Sequence, residues 1–379
     1  MRKSLLKNDI FLYLACVLTS AFGSLMVYSA TLNDAKNDGI AMSRECIIMI
    51  VAASMGAVLC IFISLLDYNS LVRVWPVTAA LCLLLIGALF IWGEAPADRP
   101  DAKCWLTIVK FGSTSVNFQP SELAKIGFII TFTAHLDRVR DDVSSVKNVL
   151  LLTLHALIPI GLIILTDDLG SAIVFACMFI GMMIAAGLKK RYFFIAGGAL
   201  VAALPLLWTK FLSTFHRQRI LAIYYPSALN ETTYKNVIYQ QQRCVNAIGS
   251  GGLFGDGLFN GTYTQSSAGV PVNESDMVFS VVGEELGFAG AMGLILMFAA
   301  IIIKICITGK NSVNFSGSVI CYGTAFMLAS QVFLNIGMCL KILPCVGITL
   351  PFVSAGGSAN LCVYFAIGLC MSVYRKEAE

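Results

Sequence analysis

Ile10-Phe-Leu-Tyr-Leu-Ala-Cys-Val-Leu-Thr-Ser-Ala-Phe-Gly-Ser-Leu-Met-Val-Tyr-Ser-Ala30 contains no charged side chain. A helix of about 20 such residues crosses the hydrocarbon core of a bilayer. The stretch follows Arg2, Lys3 and Lys7 and so starts like a signal peptide. It is too long for the apolar core of one, and many more spans follow, so it reads as an uncleaved first helix. Similar windows lie near 46–66, 74–92, 121–137, 148–165, 169–187, 192–208, 286–307, 317–340 and 353–374. They predict an all-α polytopic membrane protein with about ten transmembrane helices, residues 1–379 forming a single membrane domain.

Composition supports this reading. The chain is 58% hydrophobic and 13% charged, whereas soluble domains carry roughly 25% charged residues. A net charge of +4 is too small and dispersed for nucleic-acid binding. Most of the 13 cysteines sit inside apolar runs and act as small hydrophobes. Cys104 and Cys244 fall in loops on one side, where an oxidising compartment would allow them to pair.

An even number of spans puts both termini on one side. That side carries Arg2, Lys3, Lys7, Arg73, Arg138, Arg140, Lys147, Lys189, Lys190, Arg191, Lys304, Lys310, Arg375 and Lys376. The short loops opposite hold only Lys36, Arg44, Arg99, Lys103, Lys110 and Lys341. The positive-inside rule therefore makes the termini cytoplasmic and a large loop of approximately 209–285 external. Within that loop, residues 234–247 look like an amphipathic helix, and a glycine-rich run follows at 249–261. Glu284 and Glu285 would be expensive in lipid, so the eighth span is expected to begin near Leu286, with 277–285 a helix at the outer interface.

Several residues invite chemistry. The glycine-rich run lacks the Gly-Lys-Ser/Thr ending of a P-loop and any βαβ context. It reads either as a tight loop needing positive φ or as a backbone cradle for a diphosphate-lipid headgroup. Gln119-Pro-Ser-Glu-Leu-Ala-Lys125 opens the fourth span with Pro and Glu in the first turn. Glu122 and Lys125 share a helix face, as a structural ion pair or as part of a functional site. Thr166-Asp-Asp-Leu-Gly170 places two carboxylates in a very short connection; turn formation explains one Asp better than both. Asp276, just before a helix, is either an N-cap or a general base. His135, His155 and His216 match no zinc spacing. The Pro and Gly cluster of 347–358 predicts non-helical backbone, tolerated near a membrane only where it is buried in protein or lines a cavity.

Taken together, Met26-Val-Tyr-Ser-Ala30, Gln119–Lys125, Asp168-Leu-Gly170, Ala247–Gly255, Ser275-Asp276, Val282-Gly-Glu-Glu-Leu-Gly287, Asn335-Ile-Gly-Met338 and Leu343–Ser354 resemble the SEDS family, the group containing RodA, FtsW and SpoVE. The resemblance spans essentially the whole chain in order. It leans weakly to RodA-like members by length, and Met26–Ala30 is more FtsW-like; elongation, division and sporulation roles stay open.

The resemblance implies ten helices and a peptidoglycan glycosyltransferase that polymerises lipid II at the outer face of the bacterial cytoplasmic membrane. The family's essential Asp falls on Asp276, its conserved Glu and Lys on Glu122 and Lys125, and the Asp of its Pro-Asp-Leu-Gly motif on Asp168; Lys103, Trp105, Arg217, Arg243 and Ser354 are further candidates for substrate binding. A class B penicillin-binding protein is the implied transpeptidase partner. Departures occur where the family's Pro-Glu is Pro271-Val272, its Ser-Tyr-Gly-Gly has Ala355, an Arg is Cys104, a Gly is Lys341 and the Pro before Asp168 is Asp167. Glu274 could partly replace the lost carboxylate.

In the expected reaction Asp276 takes the proton of a sugar 4-hydroxyl as its oxygen attacks an anomeric carbon. The departing lipid diphosphate needs cations or donors, from Lys125, Lys103, Arg217, Arg219, Arg243 or a divalent Mg²⁺ or Mn²⁺ whose ligands the sequence leaves unassigned. The rival readings are a transporter (flippase) of the same lipid-linked precursor and a non-catalytic scaffold.

Overall fold

The quoted stretch folds as α1 (Ile10–Ala30), opened by Asp9, whose side chain accepts from the Leu12 amide at 3.2 Å. The computed structural model describes residues 9–95, 102–111, 114–266 and 269–377, so Arg2, Lys3, Lys7 and Arg99 of the charge count lie outside the described residues. Next come α2 (Leu32–Asn37), α3 (Arg44–Leu65), α4 (Tyr68–Arg73) and α5 (Trp75–Trp92). A hairpin of β1 (Leu106–Phe111) and β2 (Thr114–Phe118) leads into α6 (Pro120–Arg138), α7 (Val146–Leu165), α8 (Leu169–Ala185) and α9 (Lys190–Leu206). The long segment holds α10 (Thr214–Tyr224), α11 (Glu231–Ser250) and α12 (Val278–Glu285). The chain then ends in α13 (Gly287–Asn311), α14 (Phe315–Cys339) and α15 (Gly357–Glu377).

Among the described residues, eight helices are long and apolar enough to cross a membrane. α8 is apolar but only 17 residues long. α6 carries Glu122, Lys125, Asp137 and Arg138 and is nonetheless buried along most of its length. These two complete the expected ten. The class is all-α; the β1–β2 ribbon and the short helices α2, α4 and α10 are elements that the hydropathy windows do not anticipate. Each is too short to register in a window of membrane length.

The broadest helix contacts pair α3 with α15 and α8 with α14. Small residues permit them: a Cβ on Gly56 would stand 2.5 Å from the Tyr364 ring, and one on Gly181 would stand 2.3 Å from that of Phe326. Lipid supplies no hydrophobic drive between helices, so close backbone packing of this kind holds them together. α9, by contrast, buries no residue.

The long segment is tied to the bundle at α12. Glu284 is fully buried, and its carboxylate accepts from the amides of Tyr263 (2.6 Å) and Thr264 (2.8 Å) and the hydroxyls of Thr264 (2.6 Å) and Thr262 (3.3 Å). Glu285, also fully buried, accepts from Ser29 Oγ. The helix expected over 277–285 is present as α12, and protein shields its two glutamates. The two glutamates lie inside protein, where donors from a folded loop replace water. The start of the eighth span near Leu286 holds, because the backbone breaks at Gly287 (φ +64°).

The glycine-rich run is the tight loop. Its Asp256 and Gly257 amides donate to Glu284 O and Glu285 O at 3.0 Å, and the Gly255 amide donates to Gly251 O at 2.7 Å. Those three amides are spent on the chain itself and are not offered to a headgroup. Cys104 and Cys244 are not joined by a disulfide, so the possible pairing is not formed. The segment 344–356 is non-helical and largely buried, as its Pro and Gly content predicts.

Gly255 has φ +79°, and a Cβ there would stand 2.2 Å from Glu285 O. Gly255→Ala is expected to lower the melting temperature in detergent and expose 249–266 to protease. Gly249→Ala, with nothing within 4 Å of the added Cβ, is expected to be neutral or stabilising by up to about 1 kcal/mol. Equal effects of the two substitutions would contradict the docked loop.

Candidate active site

The helix ends on the face that bears the long segment converge on Asp276. α6 begins there with Pro120 in its first turn, where a missing amide costs nothing. α8 begins beside it, capped by Asp168, whose Oδ1 accepts from the Ser171 amide at 3.0 Å. Oδ2 of the same carboxylate accepts from Gln119 Nε2 and Ser121 Oγ, both at 3.1 Å, so one Asp fastens the starts of two helices. Its neighbour Asp167 takes the left-handed backbone of the turn (φ +61°) and faces His216 at 3.9 Å. Both aspartates of that connection thus have structural work.

Two adjoining cavities share Trp105, Ser275, Asp276 and Thr349 as walls. The smaller, about 120 Å³, adds Gln119, Glu122, Asp168 and Gly347. The larger, about 400 Å³, adds Glu45, Glu94, Glu274 and Ala355. Asp276 stands at their junction and is half-buried. It does not cap α12: Met277 holds that position, with no side-chain cap. The N-cap reading of Asp276 therefore falls away. Burial pushes the Glu274 carboxyl above the usual carboxylate range, and the charges of Glu45, Asp276 and Asp34 push the same way.

Glu122 and Lys125 form an ion pair of 2.7 Å, both side chains almost wholly removed from solvent. Glu122 lines the smaller cavity; Lys125, one turn deeper, is fully buried. Trp105 lines both cavities and is held at the hairpin base by paired backbone bonds with Glu94. The other four predicted positions do not line either cavity. Lys103 is exposed. Arg217 Nε donates to Leu212 O at 3.1 Å. Arg243 lies over the rings of Tyr239 and Tyr263. Arg219, a further cation considered for the diphosphate, donates to Cys345 O at 2.7 Å. Ser354 is 2% exposed and donates to Ser275 O at 2.6 Å, so it holds the chain rather than facing the cleft.

Sequence reasoning missed Glu45 and Glu94. Each lies at the end of a span on the same face, which is a usable signal, but only tertiary packing brings them to Asp276. The Val272 departure occurs at φ +57°, a conformation that a β-branched residue rarely adopts.

These features define an all-helical polytopic membrane protein with a carboxylate-lined cleft at one face. The profile of the FtsW, RodA and SpoVE family, described as "Cell cycle protein", matches residues 9–379. The chain belongs to that family. A Geobacter metallireducens protein named "Probable peptidoglycan glycosyltransferase FtsW" is 32% identical, with 98% of this chain and 96% of that one covered. Peptidoglycan glycosyltransferase MrdB of Escherichia coli K12 is 31% identical over 93% of this chain and 90% of its own. Among solved structures, a chain described under "Structural coordination of polymerization and crosslinking by a peptidoglycan synthase complex" superposes with a TM-score of 0.79. It is 24% identical, with 98% of this chain and 99% of that one covered. Thermus thermophilus rod shape determining protein RodA superposes with a TM-score of 0.68 at 24% identity, 98% of each chain being covered.

A buried pair is costly to break from one side, because the survivor is a lone buried charge. Lys125→Met or Glu122→Gln alone is expected to destabilise the protein by about 3–5 kcal/mol. The double substitution should recover most of that loss in thermal unfolding while activity stays low. A double variant no more stable than either single would contradict the pairing.

Proposed function

We propose that this chain, a peptidoglycan glycosyltransferase by family, polymerises lipid II with Asp276 as the general base. The observation that carries the reading is the position of Asp276 at the junction of two cavities, where two substrates can meet at one carboxylate. The acceptor sugar's 4-hydroxyl oxygen attacks the anomeric carbon of the donor. Its proton passes to the Asp276 carboxylate. The carbon–oxygen bond to the lipid diphosphate breaks, and the electron pair leaves with the diphosphate. Keeping the lipid in the bilayer while the sugars reach the cleft supplies much of the required proximity.

The leaving diphosphate needs positive charge, yet among the described residues the cavity walls carry carboxylates and neither Lys nor Arg. Lys125 is already neutralised by Glu122. Among the described residues, no three His, Cys, Asp or Glu side chains group to hold a metal. Protein therefore does not form a cage by itself, but Mg²⁺ at phosphate sites usually takes one or two carboxylates and fills its shell with phosphate oxygens and water. We therefore propose that Mg²⁺ or Mn²⁺ accompanies the diphosphate, with Asp168 or Glu122 as the nearby carboxylates, and neutralises its charge.

The cleft face is proposed to be extracytoplasmic, with both termini cytoplasmic and the membrane the bacterial cytoplasmic one. The lysine and arginine bias of the opposite loops supports this orientation. A class B penicillin-binding protein is proposed as the partner that crosslinks the product. The similarity to a chain from a peptidoglycan synthase complex is in keeping with it.

Protein purified in detergent with lipid II, where no transport can occur, is expected to form glycan polymer. Absence of polymer, with the transpeptidase partner also present, would remove the enzyme reading and leave transport. Asp276→Asn should cut the rate by roughly 10²–10⁴; retained activity would remove Asp276 as base. Chelation should abolish polymerisation and added Mg²⁺ or Mn²⁺ restore it, with an indifferent rate counting against the cation.

A further inference from the structure

Three consecutive carbonyls of the segment carrying Asp276 are each held by a different donor. The Ala355 amide donates to Glu274 O at 2.8 Å, and Ser354 Oγ donates to Ser275 O at 2.6 Å. Asn335 Nδ2 donates to Asp276 O at 2.8 Å. Asn335 projects from α14 and is fully buried. The same nitrogen also donates to Ile348 O at 2.7 Å. An amide nitrogen has two hydrogens, so both are spent.

Ile348 lies between Gly347 and Thr349, and all three line the smaller cavity. One side-chain amide therefore sets the distance between the Asp276 segment and the wall facing it. Ser354 reinforces the arrangement: its Oγ accepts from the Leu350 amide at 2.7 Å, and its carbonyl accepts from Asn360 Nδ2 at 3.2 Å. The clamped segment is not relaxed. Val272, whose carbonyl accepts from the amides of Ser275 and Met277 at 3.2 Å, has φ +57°. A β-branched residue in that conformation persists only where its surroundings over-determine it. Without the donors from α14 and from the loop before α15, the turn would relax and carry Asp276 with it.

We infer that Asn335 is a positioning residue for glycosyl transfer: it fixes the Asp276 carboxylate relative to the opposing 347–349 wall through two carbonyls, with Ser354 as the second anchor of the same clamp. The inference rests on the reading of Asp276 as general base. Asn335 does not touch substrate; it acts through the backbone of residues that do.

The test uses full-length protein in detergent, with polymerisation of lipid II resolved into kcat and KM and with melting temperature measured alongside. Asn335→Leu keeps the number and branching of side-chain heavy atoms and removes both donors. Its kcat is expected to fall roughly 10²-fold, the cost of a misplacement of about 1 Å, with KM close to wild type. Ser354→Ala, a milder change, should lower kcat less and in the same manner. Combined, the two should cost less than the product of the single effects, because both act on one segment.

A folded Asn335→Leu protein with wild-type kcat would overturn the inference. So would strictly multiplicative effects of the two substitutions, or a fall in kcat matched by loss of substrate binding and of melting temperature in both single variants. Asp276→Asn in the same assay reports on the general-base reading separately. If that variant stays active, the base assignment fails whatever Asn335 does.

Discussion

Glu284 is fully buried and accepts from four donors, and the architecture of the cleft face follows from that arrangement. A carboxylate buried without partners would cost far more than a helix could offset. Partnered by Thr262, Tyr263 and Thr264, it becomes the point at which the glycine-rich loop closes over α12. The loop's amides complete the contact by bonding the carbonyls of Glu284 and Glu285. Because Asp276 lies two residues before α12, whatever holds α12 also decides where Asp276 can be.

The second constraint is the satisfaction of backbone groups where water is scarce. Non-helical chain at 271–277 and 344–356 must find partners inside the protein. These two stretches find them in each other and in Asn335. The result is a rigid wall around the cleft built from the least regular parts of the chain. Preorganisation of this kind suits a transfer in which the attacking oxygen, the base and the leaving group must be aligned before reaction. The wall's acidity has its own consequence. A diphosphate approaching six carboxylates, Glu45, Glu94, Glu122, Asp168, Glu274 and Asp276, meets repulsion unless positive charge comes with it.

Much of this was legible beforehand, for identifiable reasons. Span positions follow from apolar runs of membrane length. Glu122, Lys125, Asp168 and Asp276 attract notice because ionisable groups at a membrane face need an explanation. Other expected site residues meet competing partners. Arg217 and Arg243 were expected at the substrate because a diphosphate needs cations, yet each engages its own neighbourhood, a carbonyl in one case and aromatic rings in the other. Ser354 was assigned to substrate although its hydroxyl is spent on Ser275 O. Charge demand can be read from residue types, but which group meets it depends on reach and competing partners.

The sequence by itself determined the class of protein, the order of its spans, the breaks at Pro and Gly, and the chemical character of the functional face. Those properties are local or one-dimensional: hydrophobic length, helix-start chemistry and the charge of short loops. Only the tertiary structure decided that Glu284 and Glu285 are buried inside protein, that Glu45 and Glu94 stand near Asp276, and that Asn335 links two walls of one cleft. Each of these depends on donors and acceptors supplied by chain distant in sequence. No local pattern carries the distance between them, and folding alone sets it.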